Sequence, residues 1–152
     1  MIDADVALTL WPEWLPAFRH LGKRIENRTW WPPRRLIGQR IALHAGASVG
    51  GGSWKRAEWL VDTAASEGFE VRIGRTPPEF WWYDPEYMTT HGTWRHEPLV
   101  LGAVVCTARL ADVGGFDLPW AMDGSVHWLL DELDWFDEPV PMRGRQGLWR
   151  PD

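Results

Sequence analysis

The stretch Gly22–Gly46, GKRIENRTWWPPRRLIGQRIALHAG, decides how the chain is read. Lys23, Glu26 and Arg28 stand in a K-x-x-E-x-R spacing, and Trp30 and Trp31 follow directly. A Pro32-Pro33 loop carrying Arg34 and Arg35 leads into a strand, Arg40 to Ala45, with His44 at its end. Charged donors, one carboxylate and flat aromatic faces are thus concentrated in a turn between a helix and a strand. A small polar pocket for an aromatic or phosphorylated ligand requires those groups. The same residues also suit a plainer role, in which Glu26 and Arg28 salt-bridge around a barrel rim. Spacing alone leaves the two even.

On the N-terminal side, Val6 to Leu10 reads as a short strand. WPEWLPAFRHLGKRIENR reads as a helix or two short turns, with Pro12 and Pro16 limiting how early a regular helix can run. Trp14, Phe18 and Leu21 fall at i, i+4, i+7 and make one apolar face. Gly22 ends that helix. If the helix persists to the motif, Lys23 and Glu26 lie one turn apart, an ordinary surface pairing or a lysine activated beside a carboxylate.

On the C-terminal side, the glycine run after His44 is a connector, because no Lys-Ser/Thr follows it as a phosphate-cradling loop demands. Ser53 to Glu67 has helical apolar spacing, a serine cap and Gly68 as a stop. Phe69 to Ile73 suits a short strand. Arg75 to Glu97 has no clean period and reads as a long aromatic loop, a binding excursion or a packed cover over one barrel end. LVLGAVVCTARL, within Pro98 to Asp112, is apolar on both alternate faces, as a strand in a barrel wall is. Val126 to Leu133 reads as a short helix, and Leu148-Trp149 as a final strand after a turn. Strands scattered among short helices, with no βαβ rhythm, predict one α+β domain over residues 1–152 with a small barrel.

Composition narrows the function classes. Hydrophobic residues make up 45% and charged residues 24%, ordinary for a globular chain. Thirteen Trp are far more than the core of so small a domain needs, so some are expected to line a binding surface. One Cys, Cys106, excludes an internal disulfide. No apolar run approaches a membrane span and the start has no basic leader, so a cytoplasmic protein with no membrane partner is expected. Net charge is −5, yet Arg19 to Arg40 holds seven basic residues against Glu26 alone, while Asp112 to Glu138 holds eight acids and no Lys or Arg. That asymmetry predicts one positive face on an acidic molecule. His20, His44, His91, His96 and His127 share no metal spacing, and no cofactor fingerprint occurs. His44 is either a core-edge histidine bonded to backbone or a pocket donor. No nucleophile elbow is present, and Cys106 has no evident partner.

The segment LTLWPEWLPAFRHLGKRIENRTW resembles the opening of ASCH domains of the PUA-like superfamily, whose pattern runs to G-x-K-x-x-E-x-R and an aromatic. Trp14, Lys23, Glu26, Arg28 and Trp30 match in register. GQRIALHAG is similar to the family strand, with Gly38 and His44 in place, and LVLGAVVCTARLADV and the closing GRQGLW resemble the later family segments. The likeness covers residues 6–48 and 98–150; residues 49–97 have no counterpart. It implies a PUA-like β-barrel with flanking short helices and a cleft beside the K-x-x-E-x-R turn. It also implies binding of RNA, other nucleic acid or a modified nucleoside by Trp14, Lys23, Glu26, Arg28, Trp30, Arg34, Arg35 and His44. Two alternatives stay open. One is an ASCH-type hydrolase, a ribonuclease or an N4-acetylcytidine amidohydrolase, with Lys23 and Glu26 catalytic. The chain departs from that pattern, since no Thr stands three residues after Lys23. The other is a protein-interaction domain using the Trp-rich excursion. Natural ligand and oligomeric state are not specified by the sequence.

Overall fold

In the computed structural model, residues 2–49 and 55–151 are described. The expected cap at Ser53 lies outside them. The chain order is β1 (Ala7–Leu10), α1 (Trp14–His20), β2 (Ile25–Arg28), a single 3-10 turn (Arg34–Leu36), β3 (Arg40–Ala45) and α2 (Lys55–Ser66). It continues with β4 (Val71–Arg75), β5 (Pro78–Trp82), α3 (Pro85–His91), β6 (Arg95–Pro98), β7 (Ala103–Gly114), β8 (Val126–Pro141) and β9 (Leu148–Trp149). Six strands form one sheet in the order β2-β8-β7-β3-β1-β9, and β4-β5-β6 form a second, antiparallel one. The architecture is α+β: the large sheet curls strongly into a half-barrel with the helices flanking it.

The helix–strand boundary at Gly22 sets the geometry of the site. Gly22 adopts φ +72°, a left-handed conformation that costs glycine little. The chain turns there, and the Lys23 amide donates back to the Ala17 carbonyl at 3.2 Å. Arg24 Nη1 reinforces the turn by donating to the carbonyls of Phe18 and Lys23. Helix α1 therefore does not persist to the K-x-x-E-x-R motif. Glu26 and Arg28 stand on strand β2, which pairs antiparallel with β8 in the register Glu26↔Trp128. Strand spacing of two puts Glu26 and Arg28 on one face, a pairing that replaces the expected helical turn between Lys23 and Glu26.

Two other expectations are corrected. Val126 to Leu133 is the first half of β8, a strand of sixteen residues, not a helix. Its Leu and Glu content favours a helix locally, but pairing on both edges, with β7 and β2, decides the outcome. Its alternation is also interrupted. Arg109 and Thr107 of β7 face Asp131 and Asp134, so one extra residue bulges from β8, and Glu132 there takes φ 46°. Such a bulge hides the period of two in the sequence. Residues 75–97 are not a loop either. They build β5, α3 and β6, with Asp84 capping α3 through the amides of Glu86 and Tyr87. Gly92, at φ 73°, ends that helix.

One core unites the elements. Leu8 and Leu10 of β1, Leu15 and Phe18 of α1, Leu43 of β3, Leu60 and Ala64 of α2, and Val71 and Phe80 of the small sheet are all buried in it. Cys106 sits in the same core, fully buried on β7, and burial pushes its thiol up to about 12.

Candidate functional site

The curl brings β2, at one edge of the large sheet, opposite β1, next to the other edge. Arg28 spans the gap: its Nη2 donates to the Thr9 carbonyl at 2.8 Å. A cleft of about 940 Å³ opens there. Six of the eight predicted site residues line it: Trp14, Lys23, Glu26, Arg28, Trp30 and His44. Arg34 and Arg35 do not. They lie exposed on the 3-10 turn, because the extended Pro32-Pro33 segment carries them away from the mouth. Trp31 is also turned to solvent, 63% exposed.

Glu26, 5% exposed, lies 2.9 Å from Arg28 Nε. That N–H is not aimed at the carboxylate and makes no hydrogen bond, so the contact is an ion pair rather than a linear bond. Both charges are held before any ligand arrives, which lowers the ordering cost of binding. Lys23 is buried more deeply, 1% exposed. Its ammonium donates to the Ile25 carbonyl and sits 5.2 Å from the ring centre of Trp14, 4.9 Å from Phe18 and 5.8 Å from Trp120. Burial pulls its pKa down to about 8, against the opposing pull of Glu26. Three ring faces and one carbonyl thus hold a cation that water would hold better.

His44 resolves as the core-edge histidine. Its Nε2 is 2.7 Å from the Met142 carbonyl, which can only accept, so Nε2 carries the proton. Nδ1 then accepts from the Thr9 hydroxyl at 3.2 Å, and Thr9 Oγ1 in turn accepts from Trp149 Nε1 at 3.1 Å. Both ring nitrogens are occupied, which leaves His44 to shape the cleft wall rather than to donate into it. Strand pairing dictates this, since parallel β1 and β3 place Thr9 beside His44.

Other lining residues were not singled out in the sequence. Trp11 carries the Arg56 guanidinium 3.7 Å from its ring centre. Asn27 clamps the 118–122 loop, donating to Trp120 O and accepting from Met122 N. Arg143 and Arg145 line the cleft from the loop between β8 and β9. Of the basic run from Arg19 to Arg40, only Lys23 and Arg28 line the cleft; Arg56, Arg143 and Arg145 join them from α2 and the loop between β8 and β9, and Glu26 is the one acid among the described lining residues. In the sequence Arg143 and Arg145 stood in a segment read as a turn before the last strand and as similar to the closing segment of ASCH domains, with no role assigned to either of them. Among the described residues, no three of His, Cys, Asp and Glu gather as a metal site would require, and no helix is long and apolar enough to cross a membrane.

A scan against protein-family models finds no match, and a search of curated proteins likewise returns none. The architecture itself is that of a small, partly closed β-barrel.

Proposed function

We propose that the cleft binds a nucleobase, within RNA or other nucleic acid or as a modified nucleoside, in the manner that the ASCH and PUA-like resemblance implies. The observation that carries this reading is the meeting of Trp11, Trp14 and Trp30 with the Glu26–Arg28 pair in one cleft of about 940 Å³. Unstacked bases are held by aromatic faces and by hydrogen bonds to their edges, and stacking contributes about 1–3 kcal/mol per base. Glu26 supplies an acceptor for an exocyclic amine, and Arg28 a planar donor for a base carbonyl.

The test is calorimetric titration with single-stranded RNA and a panel of natural and modified nucleosides, on wild type and on Trp30→Ala, Glu26→Gln and Arg28→Lys. Affinity per folded molecule is expected to fall at least about tenfold in each variant, the size of one lost charge-assisted bond or stack. Retained affinity in all three, with only the melting temperature lowered, would leave these residues a rim salt bridge and a wall.

A second reading, hydrolysis of an acylated base or of RNA, draws on one feature: an amine held near pKa 8 by burial. Such an amine is suited to proton transfer at neutral pH. Turnover of N4-acetylcytidine or labelled RNA that disappears in Lys23→Ala would favour it, and binding without turnover would exclude it.

A further inference from the structure

We infer that the loop Met142–Gly147 is a phosphate-gripping rim, and that the cleft takes a base carrying a phosphate in preference to a free nucleoside. This rests on the base-binding reading above and adds a ligand group to it.

Three observations converge on Arg143 and Arg145. Their side chains are exposed at the cleft mouth. Among the described residues, neither makes an ion pair or a side-chain hydrogen bond. By contrast, Arg28 is engaged by Glu26 and by Thr9 O, and Arg109 by Asp131. Two uncompensated guanidiniums beside a cleft have lasting affinity for an anion, and their forks match phosphate oxygens.

The loop that bears them is fixed. The Met142 amide donates to Gly102 O at 3.0 Å, and the Met142 carbonyl accepts from His44. Gly144, between the two arginines, presses on the buried network. A Cβ there would stand 2.5 Å from His44 Cε1 and 2.7 Å from Thr9 Oγ1. No other residue permits that approach without displacing the histidine. Both guanidiniums therefore project from a seated backbone, which reduces what ordering them costs on binding.

Charge is layered along the cleft. Glu26 is already paired with Arg28, and Lys23 is sealed beneath aromatic rings. The surplus at the mouth is positive on a chain of net charge −5. A neutral nucleoside would leave that surplus unanswered, whereas a 5′- or 3′-phosphate would meet it.

The experiment compares, by calorimetry on the whole chain, the four ribonucleosides, their 5′- and 3′-monophosphates and short single-stranded RNAs. The quantity read is the affinity ratio of nucleotide to nucleoside. A ratio of about tenfold or more is expected for whichever monophosphate fits, with a log–log salt slope of about −1 to −2. In Arg143→Gln/Arg145→Gln the ratio should fall towards one and the slope flatten. Both positions are exposed, and the melting temperature checks that the fold survives. A stronger gain with RNA than with monophosphates identifies a strand as the source of phosphate; the reverse identifies a free nucleotide. Equal affinity for nucleoside and nucleotide, or a ratio untouched by the double variant, overturns the rim and leaves the base-binding reading standing. Failure of every nucleoside, nucleotide and RNA to bind overturns both.

Discussion

The cleft of the half-barrel and the small three-stranded sheet are built from the same materials and put them to opposite use. Both are rich in Trp, Arg and His. In the small sheet and the helix α3 between its last two strands, the rings and cations satisfy one another: Trp81 stacks on His96 at 4.2 Å, Arg72 lies 4.1 Å from the ring centre of Trp94, and Tyr87 stacks on His91 at 3.9 Å. His20 joins from α1, stacked on Trp82 and bonded to Glu97. In the half-barrel the sheet curls before its edges meet, so Trp11, Trp14 and Trp30 are held apart around open volume. Aromatic density does not by itself make a cleft. Strand closure that stops short of completion leaves one.

The largest effect should come from cutting into the wall that holds the volume open. Trp128 is fully buried, stands edge-on to Trp30 at 5.0 Å, and donates to the Trp30 carbonyl. Trp128→Ala is expected to cost about 3–5 kcal/mol, while Trp81→Ala, on the outer face of the small sheet, should cost about 1 kcal/mol. Equal losses in chemical denaturation would erase the distinction between a wall and a self-paired cover.

Next is the pH response of Lys23. Its folded pKa, about 8, lies below the ordinary 10.5. Between those values the unfolded chain keeps a proton that the folded chain has released, so stability should rise with pH across that window. The total gain is on the order of 3 kcal/mol, at about 1.4 kcal/mol per pH unit. Below pH 8 both states are protonated and the burial cost is fully present. Lys23→Met should flatten this slope. A wild-type stability that stays level from pH 8 to 10 would mean that the aromatic box and carbonyl compensate the charge completely.

Cys106 gives a smaller effect. Cys106→Ala should lose about 1–2 kcal/mol, as a modest core truncation does, without changing ligand affinity. A thiol held near 12 should resist labelling until the chain unfolds; rapid labelling of native protein would contradict its place in the core.

Smallest is the cap of α3. Asp84→Ala should cost about 1 kcal/mol, read as faster hydrogen exchange in α3 with the β7 and β8 amides unchanged. If exchange rises throughout, the small sheet is not the separable layer that its self-pairing suggests.

Much of the candidate site was legible because it rests on local chemistry. Gly22 marked the end of α1, and the K-x-x-E-x-R residues and Trp30 stood out as candidates for a polar pocket, six of the eight named residues lining one cleft. Strand β3 was readable from its alternation, and β7 from its apolar run. What stayed hidden depends on pairing. Strand β8 has helix-forming residues and bulges that break its period. β5 carries aromatics on both faces and β6 is a short charged segment, so neither shows an apolar alternation. Glu26 and Arg28 converge because a strand repeats every two residues, not because a helix repeats every three or four. Arg143 and Arg145 reach the cleft only through the return of the chain from β8 to β9, which no local pattern encodes.

The incomplete closure has a consequence for how copies of the molecule meet. A half-barrel leaves two strand edges uncapped, and an uncapped edge can recruit a neighbour's backbone. Here the outer strands are β2, four residues long and bearing Glu26 and Arg28, and β9, only two residues long. On the small sheet, β6 reads Arg95-His96-Glu97-Pro98, a charged edge closed by a residue that cannot donate a ladder bond. Each of these three edges is too short or too charged to template a second chain, so the half-barrel should resist edge-to-edge polymerisation in crowded solution even though it never closes.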